Sequence, residues 1–592
     1  MVIRYRRPLE QRLDALAPIN LRRVAFNMNV NSWRFSGGPS QRFRFHFRCG
    51  ILAAILLFDS ASFFPQSRTF FISKHYLNIP VAGSSEMHVI QIQVKGVQKR
   101  EIPLQLAEHS PDYWIFIDVS EFRGQTITLS GASSEAALNR IYQSDTIEGV
   151  DALYKERNRP QFHFTVKRGW SNDVNGPIFY KGQYHLFWQA FPFGVNWDTG
   201  FMYWGHAVSN DLLHWQELSP ALMVDRIGSP WSGSSLVDHN NDGGWGKDAL
   251  VLVYTAFDRH SKKQVQCIAY STDNGVTFTR YAGNPILDSN REVGSNDTRD
   301  PKVFWYEPTR HWVMVLFEKD GMSFYTSGDL KQWTRKSHFK GLHECPDLFE
   351  MPVDGDTGHT KWILHGGSSS YYIGSFDGES FMPESPELRY AEGTNVHGDD
   401  VLYAAQSFAE MPGRRRVQMA WGRIKPEGMP FSQMMLFPTE FHLVTTRTGL
   451  RLRATPIAEI ERLRRSTQTW SSLTAADANH ALNEAGSKPL DVRLNVTLEK
   501  DDELNIRYSG NTIATIHSTE FENGNGGVEI LIDKGVAEIF VDGGARYLIT
   551  ELPTSPGGHG LELSLGRTMS RVARLEICRM KSIWVTHDSS RQ

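Results

Sequence analysis

The chain has 592 residues, which predicts more than one domain. Its formal net charge is −3 at pH 7, so no overall basic field favours a nucleic-acid partner. The 16 Trp, 19 Tyr and 34 Phe are typical both of large all-β cores and of clefts that bind sugars. The cysteines lie far apart and without metal-binding spacing, which argues against a disulfide framework and a zinc site: Cys49, Cys267, Cys345 and Cys578.

Residues 1–66 are predicted to be a leader. Ten arginines in residues 1–48 precede an apolar run at 49–58, which is too short to span a bilayer and ends in small residues. This pattern predicts a secretory signal near residues 42–62 and export to the periplasm, the cell surface or the medium. Met28 as the true start would give a basic region of ordinary length. The alternative is a disordered arm with a buried apolar plug, and no later stretch is apolar enough to span a membrane.

Residues 68–152 are predicted to form a small β-sandwich. Apolar and polar residues alternate at 90–94 and at 126–129, the period of a half-buried strand. A run of β-branched and aromatic residues at 113–119 is also typical of a strand, and 136–139 can form a short helix. No titratable cluster stands out, so this domain is expected to pack or to present a ligand rather than to catalyse.

Residues 160–450 contain a loose repeat of the form strand, Ser-x-Asp, turn and aromatic. Its aspartates are Asp211, Asp273, Asp329 and Asp377, spaced 62, 56 and 48 residues apart. A period near 50 residues made of short strands predicts the blades of a β-propeller, with a fifth unit over 400–421. Each aspartate is expected to close its turn through an Asx-type hydrogen bond while the aromatic packs back on the blade. An ordinary β-sandwich is the alternative.

Three acidic residues stand at the start of apolar or aromatic runs in three different repeat units: Asp173, Asp300 and Glu344. The inner strands of a propeller converge on a central channel, so these carboxylates are predicted to share one pocket. Each has a plainer interpretation. Asp173 lies beside Asn175-Gly176, a common hairpin dipeptide, Asp300 can form a surface pair with Arg299, and Glu344 can be a solvated loop residue.

Glycoside hydrolysis needs one ionised carboxylate and one carboxyl that keeps its proton near neutral pH. Glu344 is predicted to be the proton donor because apolar neighbours at 345–349 would raise its pKa. Asp173 is predicted to be ionised, with hydrogen bonds from Asn172 and Asn175 favouring its charged form. Asp300 is predicted to stay ionised beside its own arginine and to bind sugar hydroxyls.

These residues resemble glycoside hydrolase family 32, which includes invertases, inulinases and levanases. The segment Trp-Ser-Asn-Asp-Val-Asn-Gly at 170–176 is similar to the family signature Trp-Met-Asn-Asp-Pro-Asn-Gly, 299–301 to its Arg-Asp-Pro motif and 344–345 to its Glu-Cys motif. Further similar segments are 187–189, 196–197, 204–207, 231–234, 403–408 and, in the C-terminal part, 528–544. The resemblance covers about residues 160 to 585.

The resemblance implies an all-β chain. Residues 158–455 would form a five-bladed β-propeller that carries the catalytic site. Residues 456–480 would be a linker and 481–585 an appended β-sandwich, so that 68–152 is an additional small domain that the family pattern does not require. No metal or organic cofactor is implied, and the oligomeric state stays open.

The resemblance also implies a retaining mechanism, with the two reacting carboxyls about 5–5.5 Å apart. Asp173 would be the nucleophile, Glu344 the general acid and base, and Asp300 the transition-state stabiliser. The residues implied to bind substrate are Asn172, Gln189, Trp197, Trp231, Ser232, Arg299 and Trp421.

The sequence departs from the family signature at Ser171, Val174 and His343, which replace Met, Pro and Trp. These residues are expected to touch the pocket wall and not the carboxylates, which leaves linkage and chain-length preference open. The implied activity is exo-acting release of fructose from levan, inulin or sucrose. The alternatives are a fructosyltransferase on the same scaffold, an endo-levanase, a fructan-binding propeller without activity, and a related five-bladed arabinan or xylan hydrolase.

Overall fold

The computed structural model describes residues 66–132, 134–486, 489–553 and 560–584. The predicted secretory signal, Met28 and Cys49 lie outside these residues. In the described part of the chain no helix is both long and apolar enough to cross a membrane. The described residues belong to one compact unit.

The first described segment is a small sandwich of two antiparallel sheets, as predicted. Its elements are β1 (Gln66–Phe71), β2 (Tyr76–Val81), β3 (His88–Val94), β4 (Val97–Leu104), β5 (Tyr113–Asp118), β6 (Thr126–Ala132), α1 (Glu135–Leu138) and β7 (Tyr142–Ser144). The sheets run β1-β6-β3-β4 and β5-β2-β7. Alternation of apolar and polar residues places Ile90 and Ile92 of β3 in the core, which is why this pattern identified the strand.

The central part of the chain is a five-bladed β-propeller. Blade I contains β8 (Gly169–Tyr180), β9 (Gln183–Phe191), β10 (Tyr203–Ser209) and β11 (Trp215–Glu217). Blade II contains β12 (Ser229–Asp238), β13 (Ala249–Phe257), β14 (Gln264–Ser271) and β15 (Thr279–Arg280), and is followed by α2 (Asn290–Val293). Blade III contains β16 (Thr298–Tyr306), β17 (His311–Glu318), β18 (Gly321–Ser327) and β19 (Thr334–Lys340).

The last two blades share a sheet. Blade IV contains β20 (Asp347–Val353), β21 (Asp356–His365), β22 (Ser370–Phe376) and β23 (Phe381–Pro383), with the short β24 (Leu388–Arg389) and β25 (Ala391–Glu392) after it. Blade V contains β26 (Leu402–Ser407), β27 (Val417–Gly422), β28 (Phe431–Ser432), β29 (Met434–Met435), β30 (Thr439–Thr446) and β31 (Gly449–Pro456). Strand β28 pairs in parallel with β8 of blade I, so the end of the propeller chain closes on its beginning.

The predicted Asx turns connect the third and outermost strands of blades I to IV. Asp211 accepts the backbone N–H groups of residues 213 and 214, at 3.0 and 2.9 Å. Asp329 and Asp377 accept the equivalent backbone N–H groups in blades III and IV, and Asp273 in blade II accepts the N–H of Thr277, four residues on, at 2.9 Å. In blades I and III the tryptophan that follows donates its indole N–H to a backbone carbonyl of the same turn. The repeat in the sequence therefore marks a local turn, copied once in each of four blades.

The C-terminal part is a β-sandwich. Its elements are β32 (Arg464–Leu473), α3 (Ala475–Ala485), β33 (Leu490–Thr497), β34 (Glu503–Tyr508), β35 (Asn511–His517), β36 (Asn525–Asp533), β37 (Val536–Val541), β38 (Arg546–Glu551), β39 (Leu561–Leu565) and β40 (Arg571–Met580). One sheet runs β25-β38-β37-β36-β33-β40-β32 and the other β35-β34-β39. Residues 456–480, expected to be a linker, thus supply the edge strand β32, which pairs with β40.

The propeller and the C-terminal sandwich are joined by a buried polar cluster. His163 lies between Asp533, at 2.9 Å from Nδ1, and Glu538, at 2.6 Å from Nε2, and all three side chains are fully buried. Burial opposes protonation of His163, but the two carboxylates raise its pKa to about 9. Phe437 of the propeller also donates its backbone N–H to Glu538 at 2.9 Å. One cationic imidazole therefore joins the two domains.

Candidate active site

The inner strands of the propeller carry β-bulges near their first residues. The bulge in β8 contains Asp173, that in β16 contains Asp300, that in β12 contains Ser232 and that in β26 contains Ala404. A bulge inserts an extra residue and changes the direction of the side chains that follow. Neighbouring inner strands therefore aim polar side chains at the same end of the propeller axis.

Backbone conformation is unusual at this end. Asp300, Glu344 and Cys345 have φ angles of 64°, 52° and 40°, and Ala404 has 45°. Such left-handed conformations are costly for residues other than glycine, about 1–3 kcal/mol each, and they concentrate where function requires a fixed side-chain direction. Two of the three predicted carboxylates are therefore held by a strained backbone.

Cys345 connects two of the predicted carboxylates. Its backbone N–H donates to Asp300 Oδ2 at 3.0 Å, and its Sγ lies 3.6 Å from the same oxygen. The same Sγ lies 3.7 Å from Asp173 Oδ2. Burial raises the pKa of the Cys345 thiol well above its ordinary value, so it stays neutral. Asp173 and Asp300, 127 positions apart in the sequence, thus meet across one thiol, with Glu344 next to it.

Asp173 is held by two hydrogen-bond donors. Ser232 Oγ donates to its Oδ2 at 2.7 Å and Asn172 Nδ2 to its Oδ1 at 2.9 Å. Asn172 is itself fixed by the indole N–H of Trp170, at 2.9 Å. The other expected donor, Asn175, has its side-chain amide 3.3 Å from Ser232 Oγ instead.

The hydrogen bond from Asn172 favours the charged form of Asp173, as predicted, but the net shift of the Asp173 pKa is upward. Burial raises its pKa above the ordinary value, Ser232 lowers it, and the charge of Glu344 raises it again. The donors are present, but removal of the carboxylate from water outweighs them.

Glu344 has the most polar surroundings of the three acids. Arg299 donates to its Oε1 from Nη2 at 2.7 Å and from Nε at 3.1 Å, and Tyr403 donates its hydroxyl to Oε2 at 2.6 Å. His343 Nδ1 lies 3.4 Å from the same Oε2. Burial opposes ionisation, yet the hydrogen bond from His343 and the charge of Arg299 lower the pKa of Glu344 well below its ordinary value.

Two expectations about Glu344 are therefore corrected. Its pKa is lowered and not raised, because the groups that touch the carboxyl are cations and a phenol rather than the apolar side chains that follow it in the sequence. His343, expected to touch only the pocket wall, contacts both this carboxylate and the hydroxyl of Tyr403, the latter at 3.3 Å.

Asp300 has the opposite environment. Burial raises its pKa to about 7, the charge of Arg299 lowers it, and the charges of Glu344 and Asp173 raise it. The expectation that Asp300 stays ionised beside its own arginine is wrong, because burial outweighs the charge of Arg299, whose guanidinium hydrogen-bonds to Glu344. The three acids therefore compete for protons as one cluster.

The other predicted substrate residues are distributed around this cluster. Gln189 is buried and donates to the backbone carbonyl of Pro230 at 3.1 Å. Trp231 stacks on Phe257, with ring centroids 4.0 Å apart. Trp421 packs edge-on against Trp170 at 6.2 Å and donates its indole N–H to Gln433 at 3.0 Å. Trp197 is 58% exposed and makes no hydrogen bond or ring contact with the described residues.

Three residues at this site were not predicted from the sequence to have a role in it: Cys345, Tyr403 and Arg423. The Arg423 guanidinium lies 3.7 Å from the ring centroid of Tyr403 and 4.8 Å from that of Trp421, which orients both aromatics. Tyr403 falls inside one of the segments similar to the family pattern, and this similarity was the one available indication of its role. Arg423 falls outside every such segment.

Comparison with known proteins agrees with this geometry. The model of the glycosyl hydrolases family 32 N-terminal domain matches residues 163–456. The levanase of Bacillus subtilis (strain 168) is 36% identical over 513 residues, which cover 76% of this chain and 74% of that protein. The chain belongs to glycosyl hydrolase family 32. This family 32 protein is accordingly a glycosidase, and its three carboxylates lie within or next to the bulged inner strands of the matched region.

Further relatives extend the comparison. This family 32 chain is 32% identical over 372 residues to the extracellular exo-inulinase of Aspergillus niger (strain ATCC MYA-4892 / CBS 513.88 / FGSC A1513), covering 54% of the chain and 67% of that protein. The solved exo-inulinase from Aspergillus awamori has a TM-score of 0.61 at 25% identity, covering 73% of this chain and 100% of that one. Fructan 1-exohydrolase IIa from Cichorium intybus, at 21% identity, shares the fold with a TM-score of 0.60 over 72% of this chain and 98% of that one.

Proposed function

We propose that this family 32 glycosidase is an exo-acting enzyme that releases fructose from β-fructosides with retention of configuration. The observation that carries the proposal is the carboxylate cluster, in which Asp173 and Asp300 both lie within 3.7 Å of the Cys345 thiol and Glu344 is the adjacent residue. Relatives named levanase and exo-inulinase support a fructan as substrate.

In the proposed first step, Asp173 attacks the anomeric carbon of the terminal fructosyl unit, forming a covalent ester. Glu344 donates a proton to the leaving oxygen, so the glycosidic bond breaks without a free alkoxide. In the second step Glu344 takes a proton from water, the hydroxide attacks the anomeric carbon, and Asp173 leaves as a carboxylate. The two inversions give net retention.

The lowered pKa of Glu344 requires a source for the proton that it donates. Asp300, whose pKa burial raises to about 7, is a member of the cluster that can carry this proton near neutral pH. Fructose hydroxyls that donate to Asp300 favour its ionised form, and the excluded water favours a neutral Glu344. Substrate binding therefore moves the proton from Asp300 to Glu344, which prepares the acid for the first step.

The remaining predicted residues have supporting roles in this proposal. Asn172 and Ser232 orient the nucleophile, and Arg299 fixes Glu344 and faces the substrate. Gln189, Trp231 and Trp421 line the fructosyl site, and Trp197 stands at its rim. Extracellular relatives and the predicted leader support export of the enzyme.

Product analysis on levan, inulin and sucrose tests the substrate and the mode of action. We expect free fructose as the sole early product from at least one of the two polymers, as the similarity to relatives named exo-inulinase suggests. Short oligosaccharides at early times would contradict exo action. Longer oligosaccharides at high sucrose would identify a transferase, and no cleavage of any of the three would contradict the proposed substrate.

Three variants test the assigned roles. We expect Asp173→Asn, Asp300→Asn and Glu344→Gln each to lower kcat at least about 1000-fold while the protein stays folded, because each removes a reacting or charge-stabilising group. Glu344→Ala on a fructoside with an activated leaving group, with added azide, should yield a fructosyl azide of retained configuration. An azide of inverted configuration would rule out a retaining mechanism.

A further inference from the structure

The small N-terminal sandwich contacts a loop at the rim of the active site. This rim loop, residues 192–202, connects β9 to β10. Because Trp170 pairs with Phe191 in the sheet, the chain leaves β9 beside the segment that carries Asp173. The loop therefore begins at the active-site end of blade I.

The tip of the rim loop is Asn196-Trp197. Asn196 accepts a hydrogen bond from Lys425 Nζ at 3.2 Å, and Lys425 lies two positions after Arg423, whose guanidinium covers Tyr403 and Trp421. The tip thus reaches the blade V side of the carboxylate cluster. Trp197 is 58% exposed, so its ring is available to a ligand.

One end of the rim loop is held by Tyr113 of β5. Its hydroxyl oxygen accepts the backbone N–H of Val195 at 3.3 Å. Burial raises the pKa of Tyr113 to about 12, so the phenol stays neutral in the working range of pH. A Cβ added at Gly194 would lie 3.2 Å from the ring of Phe191 and 3.8 Å from Tyr113 Oη, which shows how closely the tyrosine approaches the backbone.

The other end of the rim loop is held through Arg259. Its Nη2 lies 2.7 Å from Oε2 of Glu101, a residue of β4 in the N-terminal sandwich, and both side chains are about three-quarters buried. The guanidinium also lies 4.5 Å from the ring centroid of Phe201. The sandwich therefore reaches the rim loop on both sides of Trp197.

We propose that the N-terminal sandwich determines chain-length specificity by fixing the rim loop, with Tyr113 as a positioning residue that acts through Trp197. A loop fixed on both sides of an exposed indole presents a preorganised platform, and the apolar face of a sugar ring stacks well on such a surface. The ligand is a sugar unit of a fructan chain beyond the fructosyl unit that is cleaved. This inference rests on the proposed function.

The test compares Tyr113→Phe with Tyr142→Phe. The first removes the oxygen that accepts from Val195, and the second removes a hydroxyl that hydrogen-bonds to Glu148 within the N-terminal sandwich. We expect Tyr113→Phe to raise KM for levan or inulin about three- to tenfold, the equivalent of one lost hydrogen bond. The kcat of Tyr113→Phe on the polymer, and its kcat and KM on sucrose, should stay within about twofold of wild type. The control Tyr142→Phe should change neither kcat nor KM on either substrate.

A double-mutant cycle with Trp197→Ala shows whether Tyr113 acts through the indole. We expect Trp197→Ala to raise KM for the polymer at least as much, and Tyr113→Phe to add nothing in that background. Additive effects, an unchanged KM in Tyr113→Phe, or an equal loss of activity on sucrose and polymer would each overturn the inference.

Binding separates this inference from the proposed function. In the Asp173→Asn background, levan oligosaccharides are titrated by tryptophan fluorescence, which requires no turnover. Weaker binding with Tyr113→Phe and not with Tyr142→Phe supports the inference even if the reaction is assigned differently, and equal binding overturns it. Absence of hydrolysis by the wild type contradicts the proposed function alone.

Discussion

At the scale of single residues, the unusual group is Asp300, whose pKa is raised to about 7 from 3.8. A raised folded-state pKa means that Asp300 contributes stability that is fully present below pH 3.8 and is lost as the pH rises through about 7. We expect Asp300→Asn to be more stable than wild type at pH 8, by about 2–4 kcal/mol, and to match it near pH 4. Urea unfolding followed by tryptophan fluorescence at both pH values measures the difference.

A matched control is Asp211→Asn in the turn of blade I. Burial opposes ionisation of Asp211, but hydrogen bonds from His214 lower its pKa well below the ordinary value. This variant should therefore be less stable than wild type above pH 4, the opposite sign. If both variants differ from wild type in the same direction, the ionised Asp300 does not destabilise the folded protein at high pH.

The sequence identified the three carboxylates but not their protonation. Position at the start of an apolar run is a local property, so it can be recognised without the fold. The pKa of each acid depends instead on partners that are distant in sequence, such as Arg299, which bonds Glu344 rather than Asp300. The residues adjacent in sequence therefore predict the wrong direction for the pKa of Glu344, and they omit the burial that raises the pKa values of Asp173 and Asp300.

At the scale of elements, the inner strands are joined by buried polar links around the propeller axis. Gln406 of β26 accepts the backbone N–H of Gly176 in β8 at 2.8 Å and donates to the carbonyl of Gly233 in β12 at 3.1 Å. Gln406→Leu preserves the volume but leaves both backbone groups unsatisfied, so we expect a loss of about 2–4 kcal/mol in unfolding free energy. The midpoint of urea unfolding measures it, with the exposed Gln332→Leu as the unchanged control. Equal midpoints for the two variants would show that Gln406 does not join the blades.

Four of the five blades could be predicted because each repeats a local turn, the Ser-x-Asp motif that bonds its own backbone. The links between elements could not, because they depend on pairings across long separations. Strand β25 leaves the propeller to pair in parallel with β38 of the sandwich, and β32 forms from residues expected to be a linker. The bulges that aim Asp173 and Asp300 inward are also set by partner strands, which a single sequence does not show.

At the scale of the whole molecule, His163 makes the junction between the propeller and the C-terminal sandwich sensitive to pH. Its pKa is raised from 6.5 to about 9 by Asp533 and Glu538, so the stability that it contributes is fully present below pH 6.5 and is lost as the pH rises through 9. We expect the wild type to lose on the order of 3 kcal/mol between pH 6.5 and 9.5 at this junction. Because the cluster is buried, added salt should change this loss little.

The variant His163→Gln tests this junction, since the amide keeps a donor but does not titrate. We expect lower stability than wild type at pH 6.5, by about 3–5 kcal/mol, because two buried carboxylates lose their cation. The difference between the two proteins should shrink toward pH 9.5, where the wild-type imidazole is also neutral. Thermal unfolding at a fixed scan rate across this range measures both curves, with His442→Gln, at an exposed histidine of blade V, as the control. Parallel curves for His163→Gln and wild type would mean that the imidazole is neutral throughout and that packing alone joins the two domains.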